Sequence, residues 1–163
     1  MKTYKRRRRE FKTDYRKRLI LLKGNCLRLV IRKTNRYIIL QIVDSEAAKD
    51  KVLFSVNSKE LLKLGWPVNK KNSLKSVCCS YLAGLLLGKK IKNLNKKIIV
   101  DSGLIRSTKG SRVYSAVKGV IDSGIKIKCD EKMFPSKDRI EGKNINIDKK
   151  IFDEIVKKIK ENG

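Results

Sequence analysis

The residues best equipped for chemistry stand at the start of the chain. The first eighteen, MKTYKRRRREFKTDYRKR, carry ten lysines and arginines against Glu10 and Asp14, a local net charge of +8. Arg6, Arg7, Arg8 and Arg9 are consecutive, Arg16 and Arg18 follow, and Phe11, Thr13 and Tyr15 lie between. A guanidinium is a planar fork that grips phosphate oxygens in pairs, and an aromatic ring can stack on an unpaired base. Charge at this density repels itself, so the arm cannot build a core and is expected to be mobile when free. A second cluster comprises Arg28, Arg32, Lys33, Thr34, Asn35 and Arg36. A strand would put Arg28 and Arg32 on one side, and the turn that follows would present the rest at its tip, a shape suited to a sugar–phosphate edge. A third candidate is the loop Ser107-Thr108-Lys109-Gly110-Ser111-Arg112. It enters a helix N-terminus, where free backbone N–H groups favour an anion, so Lys109, Ser111 and Arg112 join the expected phosphate contacts. The phosphate-loop pattern GxxxxGK[ST] is absent.

Catalytic options are few. Asp101 is expected at the C-terminal end of a central strand, where α/β sheets often place functional groups. A two-metal nuclease needs two or three converging carboxylates, and the spacing of Asp44, Glu46, Asp101 and Asp122 implies no convergence. The chain has no histidine. Its four cysteines, Cys26, Cys78, Cys79 and Cys129, form no CxxC pair, which argues against zinc and for reduced thiols acting as small hydrophobes in a cytosolic protein. The expectation is a binding protein that is no enzyme and needs no cofactor or metal.

Composition agrees. Lys+Arg is 42 against Asp+Glu 16, a net charge of +26 over 163 residues, which selects nucleic acid over a membrane surface as partner. Forty per cent hydrophobic residues suffice for one core. The first apolar run, Leu19 to Leu22, is too short for a secretory signal. The most apolar segment, Val77 to Leu87, falls well short of the roughly twenty residues a bilayer span needs.

The elements that must position these residues follow from periodicity. Asp14 or Thr13 caps a helix to about Leu22, whose last residues, Leu19 to Leu22, would dock it on the body. Leu27 to Arg32 alternates as a strand, Tyr37 to Val43 reads as a strand buried on both faces, Asp44 to Lys51 as a loop, and Val52 to Val56 as a third strand. Ser58 starts a helical turn that Gly65-Trp66-Pro67 stops. Asn72 or Ser73 caps a longer helix that Gly88 ends, with Leu74, Val77, Cys78, Tyr81, Leu82 and Leu85 on its buried face. Ile98 to Val100 reads as a short parallel strand between helices. Ser111 caps a helix that stops at Gly124, Ile125 to Ile127 is a fifth, edge strand, and Asp148 caps the last helix. The fold class is α/β (α+β), a single mixed sheet of four to five strands flanked by helices. The expected division is a basic arm at 1–18 and one α/β domain at 19–163.

Several stretches in this order resemble a known family: Arg6-Arg7-Arg8-Arg9-Glu10 with Thr13-Asp14-Tyr15, Arg28 to Ile38, Gly65-Trp66, Ala83-Gly84-Leu85, Asp101-Ser102-Gly103-Leu104, Gly110-Ser111-Arg112-Val113, and Phe134-Pro135-Ser136 with Asp138-Arg139-Ile140. The chain resembles the archaeal large-subunit ribosomal proteins that bind 5S rRNA (universal large-subunit protein eighteen, related to eukaryotic protein five). The resemblance implies a ribonuclease-H-like body lacking the catalytic carboxylates. It also implies a place in the cytoplasmic ribosome, where the protein binds 5S rRNA and helps attach it to 23S rRNA beside other proteins of the central protuberance. RNA contacts would come from Arg6 to Arg9, Thr13, Tyr15, Arg18, Arg28 and Arg32 to Arg36, with Arg112. Two rivals remain: a metal-dependent nuclease using Asp101, and a basic protein that binds RNA by charge alone.

Overall fold

The computed structural model describes residues 3–46, 49–91 and 96–161. Lys2 of the arm and residues 47–48 of the expected loop lie outside them.

Four strands form one sheet in the order β3-β2-β1-β4. Strands β1 (Leu27–Lys33), β2 (Ile38–Glu46) and β3 (Lys49–Asn57) are an antiparallel meander. The loop expected at Asp44 to Lys51 is a correction. Asp44, Ser45 and Glu46 pair with Lys51, Asp50 and Lys49, so both strands run on into a hairpin. Polar side chains at an exposed hairpin end read as a loop, although the backbone ladder is indifferent to them. Strand β4 (Ile98–Asp101) pairs parallel to β1, as its apolar run suggested. It lies at the sheet edge, however, and not centrally. Ile125 to Ile127 forms no strand; its isoleucines pack on the core as a loop.

Alternation decides which face of β1 enters the core. Leu27, Leu29 and Ile31 are buried against helices α3 (Val77–Lys90) and α4 (Arg112–Asp122), with Ala83, Leu87, Ala116, Val117 and Val120 opposite. Helix α3 is buried nearly all round. Its other side meets a second core of Leu61, Trp66, Ile140 and, from helix α6 (Lys149–Glu161), Phe152, Ile155 and Ile159. The single-face reading of α3 therefore missed Cys79, Ala83 and Leu87. The helix starts later than expected: Ser76 caps it, its side chain accepting from the Cys79 N–H, while Val68–Ser73 winds as a 3-10 turn. It also runs through Gly88 to Lys90.

Glycine sets how closely α3 and α4 cross. A Cβ on Gly119 would lie 2.2 Å from the Tyr81 carbonyl oxygen, and one on Gly84 2.2 Å from that of Ala116. Neither backbone oxygen can rotate aside. Alanine at a helix interior normally gains about 0.5–1 kcal/mol over glycine, whereas overpacking a core costs about 1–3 kcal/mol. Here the steric term wins. Gly119→Ala is expected to lower the urea unfolding midpoint by the equivalent of about 1–3 kcal/mol; an unchanged or raised midpoint would show that the helices can separate freely.

Candidate nucleic-acid interface

The sheet's outer face carries an ion network. Arg28, on the second residue of β1, is only 2% exposed. Its Nη1 donates to Asp101 Oδ2 at 3.1 Å, and its Nη2 donates to Ser45 Oγ at 2.7 Å and Asp50 Oδ1 at 2.8 Å. Asp101 closes the far side. It accepts from Arg32 Nη2 at 3.2 Å and from the Gly103 N–H at 2.8 Å, and so caps the turn that leaves β4. Arg32 Nη1 also donates to the Asp101 carbonyl. A Cβ at Gly103 would come within 3.0 Å of the Arg32 guanidinium, which is why the turn there is bare backbone.

The network reaches the arm through helix α2 (Tyr15–Lys23). Asp14 caps α2 as expected, accepting from the Arg16 and Lys17 N–H groups. Arg18 donates to both Asp50 oxygens at 2.9 and 3.0 Å, and Lys17 Nζ donates to the Gly103 carbonyl at 3.0 Å. These polar ties fasten α2 more than the apolar docking expected of its last residues. Ile20 is 64% exposed, Leu19 is also exposed, and Leu21 and Leu22 are half-buried. The division expected at residue 18 falls inside this helix. Ahead of it, Arg6–Arg9 form one helical turn, α1, which buries no residue.

Between arm, α2 and the Asp101–Ile105 turn lies a groove of about 1200 Å³. Of the candidate residues, Arg7, Thr13, Tyr15, Arg18, Arg32 and Lys33 line it, joined by Lys5, Lys12 and Lys17, which sequence reasoning left aside. Thr13 Oγ1 accepts from Arg7 Nε at 2.8 Å, and Lys5 sits over the Tyr15 ring at 4.8 Å from its centre. The ring is thus covered on one face by a cation. Arg6, Arg8, Arg9, Phe11 and Arg16 do not line it and are exposed, Phe11 at 87%. Thr34, Asn35 and Arg36 stand exposed at the β1–β2 turn, held by mutual Thr34–Tyr37 hydrogen bonds. Lys109 is exposed as well, while Ser111 and Arg112 face a different cavity.

Two expectations change. Arg28 is not presented for phosphate: its guanidinium is enclosed, its Nη1 and Nη2 are held by Asp101, Ser45 and Asp50 while its Nε is buried without a partner, and its role is to position Asp101 and Asp50. Asp101, in turn, is neutralised by two guanidinium groups, which occupies the carboxylate that a metal-dependent nuclease would need there. Burial pushes the Cys78 thiol up to about 12 and raises that of Cys79, so both stay protonated within the second core.

A mixed sheet with a cationic groove on its outer face, its sheet-side acids spent on holding that groove together, defines a basic α+β protein. Comparison with known sequences makes the class specific. The profile of the family described as "Ribosomal large subunit proteins 60S L5, and 50S L18" matches residues 1–99 and 92–130. The chain is 46% identical over 141 residues to the large ribosomal subunit protein uL18 of Korarchaeum cryptofilum, covering 86% of this chain and 70% of that protein. It is 41% identical over 157 residues to uL18 of Methanoregula boonei, covering 96% and 88%, and 40% identical over 142 residues to uL18 of Caldivirga maquilingensis, covering 86% and 67%. The chain belongs to this ribosomal large-subunit family, whose members are structural proteins and not enzymes.

Two outcomes follow from the network. Removing one partner of a buried ion pair costs about 3–5 kcal/mol, because the other charge is stranded. Asp101→Asn is therefore expected to destabilise the fold markedly in urea; a variant of wild-type stability would contradict the burial of Arg28. Burial raises the Asp50 pKa, but hydrogen bonds from Ser45, Arg18 and Arg28 outweigh it and hold the carboxyl below its ordinary 3.8. A lowered folded value means that the stabilisation is complete above 3.8 and is lost as pH falls through the folded value. The stability difference between wild type and Asp50→Asn should be constant from pH 7 to 5 and shrink below about 3.8. A difference that does not shrink at all as pH falls below 3.8 would remove Asp50 from the network.

Proposed function

We propose that this protein binds 5S rRNA and helps attach it to 23S rRNA in the central protuberance of the large subunit, among other large-subunit proteins of the cytoplasmic ribosome. The observation that carries the reading is the groove between arm and sheet. Lys5, Arg7, Lys12, Lys17, Arg18 and Arg32 border it, and its two sheet-side acids, Asp50 and Asp101, are both paired. Family membership supplies the ribosomal context, and a net charge of +26 supplies long-range attraction.

The mechanism is electrostatic capture followed by fitting. Arg6 to Arg9 meet backbone phosphates first and release counterions. Arg7, Arg18, Arg32 and Lys33 then fix register along the groove, and Thr34, Asn35 and Arg36 meet a second edge of the RNA at the β1–β2 turn. Phe11, the most exposed ring of the arm, is free to stack on a base. The nuclease reading has lost its carboxylate to Arg28 and Arg32. The charge-only reading differs in what it requires of unrelated RNAs.

Binding of 5S rRNA and of a length-matched tRNA mixture across a salt series separates the two. With about six phosphates engaged, affinity for either RNA falls about a thousandfold between 50 and 200 mM salt. The 5S rRNA is expected to keep a large advantage at 200 mM; coincident curves would make the protein a non-specific basic binder. Arg32→Ala should weaken 5S binding and reduce the salt slope by about 1, and an unchanged slope would take Arg32 out of the interface.

A further inference from the structure

The arm folds into a hook, and one residue makes its bend. Two nested backbone bonds end the helical turn α1: the Phe11 N–H donates to the Arg8 carbonyl at 3.1 Å, and the Lys12 N–H donates to the Arg7 carbonyl at 2.9 Å. This pair is a common helix stop, and it needs a left-handed residue inside it. Glycine usually takes that place because it has no Cβ to clash. Here the residue is Phe11, with φ 51°. For so bulky a side chain that conformation is an outlier and is strained.

Local contacts hold the bend despite the strain. Glu10 meets Arg6 at 3.6 Å and Lys12 at 2.7 Å, one on each side. Arg7 Nε donates to Thr13 Oγ1, and Lys5 sits over the Tyr15 ring, so the two limbs of the hook are tied together. The Phe11 ring takes no part in this, being 87% exposed. Glycine at this position would relieve the backbone and lose no packing. The free protein therefore gains nothing from the ring, and strain kept at an exposed position points to a ligand.

The other two rings of the arm are occupied. Arg8 lies over Tyr4 at 4.6 Å from its centre, and Lys5 lies over Tyr15 at 4.8 Å. Phe11 has no cation and no second ring against it among the described residues. Both its faces are open, with Arg8 and Arg9 before it in the chain and Lys12 after it. A bare ring between cations matches a nucleobase between phosphates. A double helix offers the same phosphates but keeps its bases stacked inside.

We infer that Phe11 is a specificity-determining residue: the strained bend presents its ring to an unpaired nucleobase, so the arm selects single-stranded over double-helical RNA. The inference rests on RNA being the ligand of the arm, and it goes further by naming the RNA structure the arm prefers.

The test titrates the full-length protein with single-stranded oligouridylate and with an RNA duplex of equal phosphate number. Wild type is compared with Phe11→Gly and Phe11→Trp. Glycine suits the left-handed bend better than the native residue, so Phe11→Gly keeps the hook and removes only the ring. It is expected to weaken oligouridylate binding about tenfold and to leave duplex binding unchanged, while Phe11→Trp retains the single-strand affinity. Unchanged oligouridylate affinity in Phe11→Gly would overturn the inference and leave the ring to a protein partner. Equal losses on both RNAs would overturn it too, because the ring would then serve the arm's shape and not base recognition. Neither probe is 5S rRNA, so a missing 5S advantage over tRNA would sink the 5S reading without altering this result.

Discussion

Everything on the outer face of this sheet depends on one buried contact, the Arg28–Asp101 pair. Arg28 stands on β1 and Asp101 at the end of β4, so the pair bridges adjacent parallel strands. A buried guanidinium must be neutralised and hydrogen-bonded, and this one recruits Ser45 and Asp50 from the far strands to its Nη2. Those acids then have a second hand free. Asp50 takes Arg18 and with it α2; Asp101 takes Arg32 and the turn at Gly103. Such pairs add little net stability against an apolar alternative, because desolvation offsets attraction. Their contribution is placement: a core made of hydrophobes cannot fix where an arginine-rich arm leaves the body.

That placement separates two kinds of cation. Arg28, sealed between Asp50 and Asp101, is structural and its charge is cancelled, whereas Arg18 and Arg32 each meet one of these acids and also border the groove. On the arm only Glu10 opposes the cations, through Arg6 and Lys12, and none of those at the β1–β2 turn or around the start of α4 is ion-paired among the described residues, so the field of a chain with net charge +26 concentrates there. The inner face does the opposite work. Leu27, Leu29 and Ile31 anchor β1 on α3 and α4, and the glycine crossing of those helices brings their N-termini together beneath the β1–β2 turn. One strand therefore links the arm groove and the cavity at Ser111, with Lys33 on the wall of each.

Much of this was legible in the sequence. The alternation of β1, the parallel β4, the cap at Asp14 and the α4 helix follow from local patterns that the structure keeps. Local patterns fail where distant residues decide. Arg28 and Arg32 look equivalent by period, yet one is sealed and the other lies in the groove. The difference arises from Asp50 and Asp101, which are 22 and 73 residues from Arg28. The same holds for α3, whose second buried face is created by α6 and the 3-10 turns, and for Gly88, which looked like a stop and is a close-packing site against Ser123. Lys5, Lys12 and Lys17 carried no signal of their own within a run where nearly every residue is charged. The cavity at Ser111 was half visible: the loop and helix start were readable, whereas the α3 start, Lys33 and Arg139 reach it only through the tertiary fold.

The central claim is that the Asp50 bridge aims the arm, and 5S rRNA affinity of Asp50→Asn at 200 mM salt tests it most directly. Removing a negative charge should tighten binding to a polyanion if charge alone governs association. If the Arg18–Asp50 contact positions α2 and the arm, the same substitution weakens binding despite the more favourable net charge. Weaker binding by a variant with a native fold is the result this account predicts. Tighter binding would contradict it and leave the arm as an unaimed cationic tail.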